Sequence, residues 1–404
     1  MNRDRDMSES TRRQFLEGAA AVTAAAVLAR PALAAGSPAS APAGRARVDS
    51  PLPVGPGAPY SSYQSEIYVG GMTTGTKPIF TTNLSDLEAA AAKKLPTEAR
   101  RYLLDWAGGA ETARTNARAL EAWRIVPRMF IDREERQWET TVLDVTMPVP
   151  IVLGPVGRQA LAHPDGETAS ARAATGLELT YVHSQHASKS IESVAAAAPQ
   201  GSRWFALDWP EEDDPDLELL RRAQLAGCTH LVLSPPQRRQ GWTELAAVRD
   251  AWDGPIVLTG VQSVAAARMA VRRGLDGIVV SNERGRRGPS PVGTIDRLPR
   301  IADAVGGKVA VLFGSGVRTA PDVYRALALG AEAVFVGRPY VYALALAGEA
   351  GVRHMLRTLL AELDIMLGIA GVADHRELGP DALVRASGRS RSRTEPRAHN
   401  MVPP

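Results

Sequence analysis

Two stretches near the carboxyl end, FGSGVR (Phe313–Arg318) and VGRP (Val336–Pro339), join glycines to arginines. Glycines let main-chain N–H groups come close to an anion, a following helix adds its positive end, and the guanidinium groups of Arg318 and Arg338 can make charge-assisted bonds to phosphate oxygens. The pair predicts a phosphate-bearing ligand; the plainer alternative is tight turns plus arginines paired with surface acids. A second cluster, SNERGRR (Ser281–Arg287), sets Glu283 among Arg284, Arg286 and Arg287. Neighbouring cations keep a carboxylate ionised and weakly basic, so an ion pair is the simpler role for Glu283 and proton transfer the sharper one. His183, Ser184 and His186 end one apolar run, and Asp208 ends another with Glu211, Glu212, Asp213 and Asp214 downstream. A histidine in such a place is more often a packing residue than a base, and the acidic run is a solvated turn rather than a metal site.

The elements that must position these groups are eight short apolar runs. They are PIVLGP (Pro150–Pro155), LTYVHS (Leu179–Ser184), RWFALDW (Arg203–Trp209), THLVLS (Thr229–Ser234), PIVLTG (Pro255–Gly260), DGIVVSN (Asp276–Asn282), KVAVLFGSG (Lys308–Gly316) and AEAVFVGRP (Ala331–Pro339). Runs apolar on both faces suit parallel strands between a barrel interior and an outer helix layer. Helical patterns such as ETASARAATG, DLELLRRAQLAG, VAAARMAVRRG and APDVYRALALG alternate with them, each closing at a glycine. The pattern predicts the α/β class: a closed (β/α)8 TIM barrel, with the segment before Met147 as an N-terminal helical cap. An open doubly wound sheet is the alternative. In a barrel the site lies where strands end, which selects, among others, Pro155, Val156, Gly157, Ser184, His186, Asp208, Ser234, Thr259, Glu283, Arg286, Gly314, Ser315, Gly316, Arg318, Gly337 and Arg338.

Composition bounds the rest. The 404 residues are 45% hydrophobic and 23% charged, which excludes wholesale disorder, and a net charge of +3 gives no electrostatic case for nucleic acid. A single cysteine, Cys228, excludes an internal disulfide and a multi-cysteine metal site. At the start, Arg12 and Arg13 precede an apolar stretch from Gly18 to Ala29 and the small-residue segment Ala32–Ala34. This is the pattern of a twin-arginine export signal, too short to span a bilayer, so residues 1–34 are expected to be removed and the mature protein to be periplasmic or secreted. That route carries folded proteins, often with a cofactor already inserted. Residues 35–78, rich in Pro, Gly, Ser and Ala, are expected to be a flexible linker, 79–385 the barrel, and 386–404 a disordered basic tail.

From about Leu84 to Leu378 the chain resembles the FMN-dependent α-hydroxy acid oxidases and dehydrogenases. The motifs that carry this are DLEAAAAKKLP, AGGAET leading to Asn116, IVPRMFID, LAHPDGE, SIESVAAAAP, VQSVAAARMAVRRGLDGIVVSN, GVRTAPDVYRALALGAEAVFVGRP and GEAGVRHMLRTLLAELDIMLGIAG. The resemblance implies FMN across the barrel mouth, a 2-hydroxy acid as small-molecule substrate, and a homo-tetramer or octamer. It also assigns roles: Ser184 and Ser234 to flavin contacts, Arg318, Gly337 and Arg338 to the phosphate grip, and Val156 and Gly157, in place of a Thr and an Ala, to the main chain along the ring.

The same resemblance marks departures. Glu283 stands where the family has its histidine base, Arg286 keeps the place of one carboxylate-binding arginine, and Arg284 replaces a glycine. Ala206 and Asp208 replace a Gln and a Tyr; Thr259 replaces a lysine at the flavin edge, and Gly314 an aspartate that holds the ribityl chain. Asp105, by its spacing to Gly108 and Gly109, fills the place of an N-terminal tyrosine, with Tyr102 one turn earlier. His186 replaces a large pocket-lining residue and is a candidate relocated base, with His183 near by. The loop from Ser234 to Trp242, which should bear a second clamping arginine, is nearly absent. Three functions follow: an exported FMN oxidoreductase with altered substrate or mechanism, a catalytically silent flavoprotein or binding barrel, and a non-redox isomerase or lyase using Glu283 or His186.

Overall fold

The computed structural model describes residues 59–75, 77–104, 110–128, 136–208, 216–234, 244–282 and 292–386. The chain divides into Met1–Asp49, none of it described, and Ser50–Pro404, which holds every described residue. Glu283, Arg284, Arg286 and Arg287, Asp105, the 235–243 loop, the export segment and residues 387–404 lie outside the described residues.

Eight parallel strands close into a barrel: β4 (Ile151–Leu153), β5 (Thr180–Ser184), β6 (Arg203–Asp208), β7 (His230–Ser234), β8 (Ile256–Val261), β9 (Gly277–Val280), β10 (Ala310–Phe313) and β11 (Ala333–Val336). Each of the eight apolar runs contributes one strand. Side chains alternate between two cores, as the two-residue strand period requires. Val152, Val182, Trp204, Val232, Val257, Val279 and Leu312 fill the interior. Tyr181, Phe205, Leu231, Ile256, Ile278, Val311 and Val334 face the outer helices. Those helices are α5 (Gly166–Thr175), α6 (Ile191–Ala197), α7 (Leu217–Leu225), α8 (Glu244–Ala251), α9 (Val264–Arg272), α10 (Leu298–Val305), α11 (Ala320–Ala328) and α12 (Arg338–Ala370). Helix α12 breaks at Ala347 and Gly348, whose backbones leave the helical region. Of the closing glycines, Gly227, Gly274 and Gly330 adopt positive φ as a left-handed cap does, whereas Gly176 stays right-handed at φ −66°.

The bottom of the barrel is shut by a hairpin, β2 (Thr140–Val142) and β3 (Val145–Met147), that drops Val142 and Met147 into the interior core. Inside, His230 stacks on Trp204 at 4.5 Å and its Nε2–H donates to the Leu143 carbonyl at 2.8 Å. The cap before the barrel holds α2 (Leu87–Lys94), α3 (Thr97–Leu103) and α4 (Ala110–Ala122). Strand β1 (Trp123–Ile125) then pairs antiparallel with β12 (Leu383–Arg385).

The stretch expected as linker is structured over its described part. Helix α1 (Ser62–Thr74) lies on α12, where the Tyr63 hydroxyl donates to His354 Nδ1 at 2.6 Å, the Arg357 guanidinium covers the Tyr63 ring at 3.8 Å, and Arg357 pairs with Glu66 at 2.9 Å. These are tertiary contacts, and local composition does not announce them. Among the described residues no helix is long and apolar enough to cross a membrane, and no group of three or more His, Cys, Asp or Glu could hold a metal ion.

Candidate active site

The strand ends converge on one cleft of about 1120 Å³, its solvent-open mouth included. Of the residues selected from the sequence, Pro155, Val156, Gly157, Ser184, His186, Asp208, Ser234, Thr259, Gly316, Arg318, Gly337 and Arg338 all line it. Tyr102, at the end of α3, lines it as well. The Arg158 guanidinium lies 5.3 Å from the centre of the Tyr102 ring and is itself paired with Glu98 at 3.1 Å.

At one end, β10 and β11 deliver the glycines and arginines. Gly316 has φ +80°, a conformation that favours glycine. Arg338 is only 7% exposed and opens α12, whose N-cap Gly337 makes no side-chain cap bond. Helix α11 differs from expectation, because its positive end is occupied by the chain's own carboxylates. Asp322 accepts the N–H groups of Arg318 and Thr319 at 3.0 and 3.1 Å. Glu362, pushed up to about 7 by burial, accepts from the Ala320 backbone. Arg318 lines the cleft while its Nε donates to Glu88 at 3.2 Å. The Gly314 N–H is spent on the Val280 carbonyl at 3.1 Å, so the donors left at this end of the cleft are the Ser315 and Gly316 main chain, the start of α12 and the two guanidinium groups. Amides and cations converging on one pocket suit a phosphate monoester.

Between the ends the floor is neutral. Thr259 Oγ1 and Ser281 Oγ are 3.0 Å apart, and Ser315 Oγ donates to Asn282 Oδ1 at 3.0 Å. Ser281 and Asn282 were not selected from the sequence; their polar side chains closing the apolar run DGIVVSN were the available signal.

At the far end, β5 and β6 bring His186 and Asp208 together. His186 Nε2 is 2.8 Å from Asp208 Oδ2, Ser234 Oγ donates to Asp208 Oδ1 at 3.0 Å, and the Asp208 N–H donates to Gln185 Oε1 at 2.9 Å. This imidazole–carboxylate pair is half-exposed at the cleft wall. His183 is elsewhere: it packs with Tyr181 and Phe205 on the strand face opposite Val182, and burial pushes its pKa down to about 4. It is a packing residue.

Against known proteins, residues 91–235 and 236–385 match the model of the FMN-dependent dehydrogenase family, and residues 9–29 match a twin-arginine translocation pathway signal sequence. An FMN-dependent alpha-hydroxy acid dehydrogenase of Penicillium citrinum is 34% identical over 81% of this chain and 96% of its own. A 4-hydroxymandelate oxidase of Amycolatopsis orientalis is 35% identical over 72% and 94%. A crystal structure of mandelate oxidase with 3,3-difluoro-2-hydroxy-3-phenylpropionic acid superposes with a TM-score of 0.69 at 35% identity, covering 75% of this chain and 98% of that one.

Proposed function

The chain belongs to the FMN-dependent dehydrogenase family, with FMN as its cofactor, and from that premise we propose that it oxidises a 2-hydroxy acid using a relocated proton acceptor, His186. The observation that carries this reading is the His186–Asp208 pair, which lines the same cleft as Arg318 and Arg338. FMN, when bound, supplies the acceptor for the two electrons and one hydrogen that leave the substrate carbon. The chain's own residues deal with the remaining proton and with orientation.

Asp208 is held by Ser234 and Gln185, and it faces His186 Nε2. A carboxylate there favours the tautomer protonated on Nε2, which leaves the Nδ1 lone pair to take the substrate hydroxyl proton. The same carboxylate then stabilises the imidazolium that forms, the part an aspartate plays beside a histidine base. Arg338, with Arg318 and the glycine amides, would hold the cofactor's phosphate, and the main chain of Val156 and Gly157 would lie beside its ring. In this reading Glu283, flanked by arginines, is an ion-pairing residue, and Arg286 clamps the substrate carboxylate. Export by the twin-arginine route, with cleavage near Ala34 and assembly as a tetramer or octamer, belongs to the same proposal.

The test is purification followed by anaerobic mixing with a panel of 2-hydroxy acids. A yellow protein whose flavin absorption bleaches supports the reading. A colourless protein that takes up no FMN overturns it, and a yellow protein that no 2-hydroxy acid bleaches overturns the substrate class.

A further inference from the structure

Directly behind the cleft wall lies a buried polar network that none of the roles above uses. Gln159 sits in the turn after Gly157 and is 0% exposed. Its Nε2 lies 2.9 Å from the Val156 carbonyl, 3.1 Å from the Tyr181 hydroxyl and 3.3 Å from the Tyr340 hydroxyl, and its Oε1 accepts from Ser170 Oγ at 2.7 Å. The Tyr340 hydroxyl in turn donates to the Gly154 carbonyl at 2.9 Å. The carbonyls held are those of Gly154 and Val156, within the Gly154–Gly157 segment that lines the cleft.

A carboxylate ties this segment to the next loop. Glu167, also 0% exposed, accepts the N–H groups of Gln159 at 2.9 Å, Ser188 at 2.9 Å and Lys189 at 3.2 Å. A buried charge is tolerated where several donors converge on it, and here the donors come from both loops. The two loops meet again in front of it. The Arg158 N–H donates to the His186 carbonyl at 2.9 Å, and a Cβ on Gly157 would lie 2.7 Å from that same oxygen.

We propose that Gln159 and Glu167 are positioning residues that lock the cofactor-facing segment Gly154–Gly157 and the His186-bearing loop into one rigid unit. The assignment rests on FMN occupying this cleft; it does not depend on which residue takes the proton. Peptide groups that must stay fixed against a planar ligand gain from carbonyls already satisfied from behind, because a rigid pocket loses less freedom on binding.

The experiment compares the holoprotein with Tyr340→Phe, Gln159→Met and Glu167→Gln, reading the FMN dissociation constant, the flavin's circular dichroism and thermal stability. Ile301→Val, on the outer helix α10 and away from the cleft, serves as a control for general loss of stability. Tyr340→Phe removes one donor and should weaken FMN about three- to tenfold, with Gln159→Met at least as severe, and both should change the flavin dichroism. The control should lower stability and leave both flavin readouts unchanged. If Gln159→Met does not fold, Tyr340→Phe alone decides. Unchanged affinity and dichroism in the folded variants overturn the assignment, as does an equal change in the control. A wild-type protein that binds no FMN overturns the cofactor reading as well, which separates the two failures.

Discussion

The two ends of the cleft are built from different materials. At the β10–β11 end the cleft is lined by a glycine loop, the first turn of a long helix, and a buried guanidinium. At the β5–β6 end it is lined by half-exposed side chains, His186 and Asp208, set on strand ends and held by Ser234 and Gln185. Backbone donors persist through side-chain substitution as long as the glycines remain. A site made of side chains can be rebuilt one residue at a time. A phosphate grip of that kind can therefore survive beside the rearranged proton-transfer apparatus proposed above, which fits the departures read from the sequence at Glu283 and Asp208, whereas those at Thr259 and Gly314 touch the flavin edge and the ribityl chain.

The largest effect should come from the side-chain end. His186→Asn is expected to slow anaerobic flavin reduction by about 10²–10⁴-fold, the range for loss of a general base, while flavin content stays unchanged. Asp208→Asn should slow it less, because the base itself remains and only the carboxylate that orients it is lost. Glu283→Gln should leave reduction close to wild type. If the order of His186→Asn and Glu283→Gln is reversed, the base has stayed at the family's position and the contrast between the two ends disappears.

His183, three residues before His186, sharpens the same contrast through pH. Its folded pKa lies near 4, below the 6.5 of an unfolded histidine, so between those values the unfolded chain binds more protons. Stability from keeping His183 neutral is complete above about 6.5 and is lost as pH falls from there to about 4. The loss is on the order of 3 kcal/mol at most, from roughly 1.4 kcal/mol per pKa unit. Glu362 runs the other way. Its raised pKa, about 7, makes stability fall as pH rises from about 4.5 to 7. Across pH 4–8 these two contributions nearly cancel in the wild type, so chemical denaturation of His183→Phe should uncover the Glu362 dependence, a stability that rises as pH falls from about 7 to 4.5, without changing flavin reduction. A variant that also slowed reduction would put His183 in the site.

At the backbone end, Arg338→Met removes one charged donor and spares the glycine amides. Charge-assisted bonds contribute about 1.5–3 kcal/mol, so FMN should bind about 10- to 100-fold more weakly, read from flavin released on dilution. Complete loss of FMN would show that the amides contribute little. No loss would place the phosphate elsewhere.

How far the sequence disclosed all this depended on where each signal resides. The strands were readable because a strand buried on both faces must be apolar throughout, and the place of FGSGVR and VGRP at the cleft was readable because they close the last two apolar runs. The hairpin Thr140–Met147 was not. Its strands are three residues long, and Leu143 and Asp144 turn with φ of 53° and 63° where asparagine and glycine would be the usual signal. Helix α1 was hidden in a stretch of linker composition, because distant partners, His354 and Arg357, hold it. The Gln159–Glu167 network was visible only as the motif LAHPDGE, since its partners arrive from β5 and α12. The meeting of His186 and Asp208 needed the barrel itself, which sets Ser184 beside Ala206 and so places two loops side by side.

The smallest expected effect concerns Tyr102, which reaches the cleft from the cap, packs against the hydrophobic core and lies under the Arg158 guanidinium. Arg158 takes a left-handed backbone, φ 52°, that costs a non-glycine residue about 1–2 kcal/mol, so its side chain is present against a conformational preference. Two substitutions separate these contributions. Arg158→Ala keeps the strain and removes the guanidinium, whereas Arg158→Gly removes both. Arg158→Gly should thus be more stable than Arg158→Ala by roughly 1 kcal/mol, read by thermal denaturation of the holoprotein. Both should lose the cation–π contact, about 0.5–1 kcal/mol at an exposed site, and raise the KM for the best 2-hydroxy acid about two- to fivefold without altering FMN affinity. A change in KM for one variant alone would mean that the backbone, and not the guanidinium over the ring, places Tyr102. A change in FMN affinity for both would extend the cofactor's contacts across the whole cleft and dissolve the division between its ends.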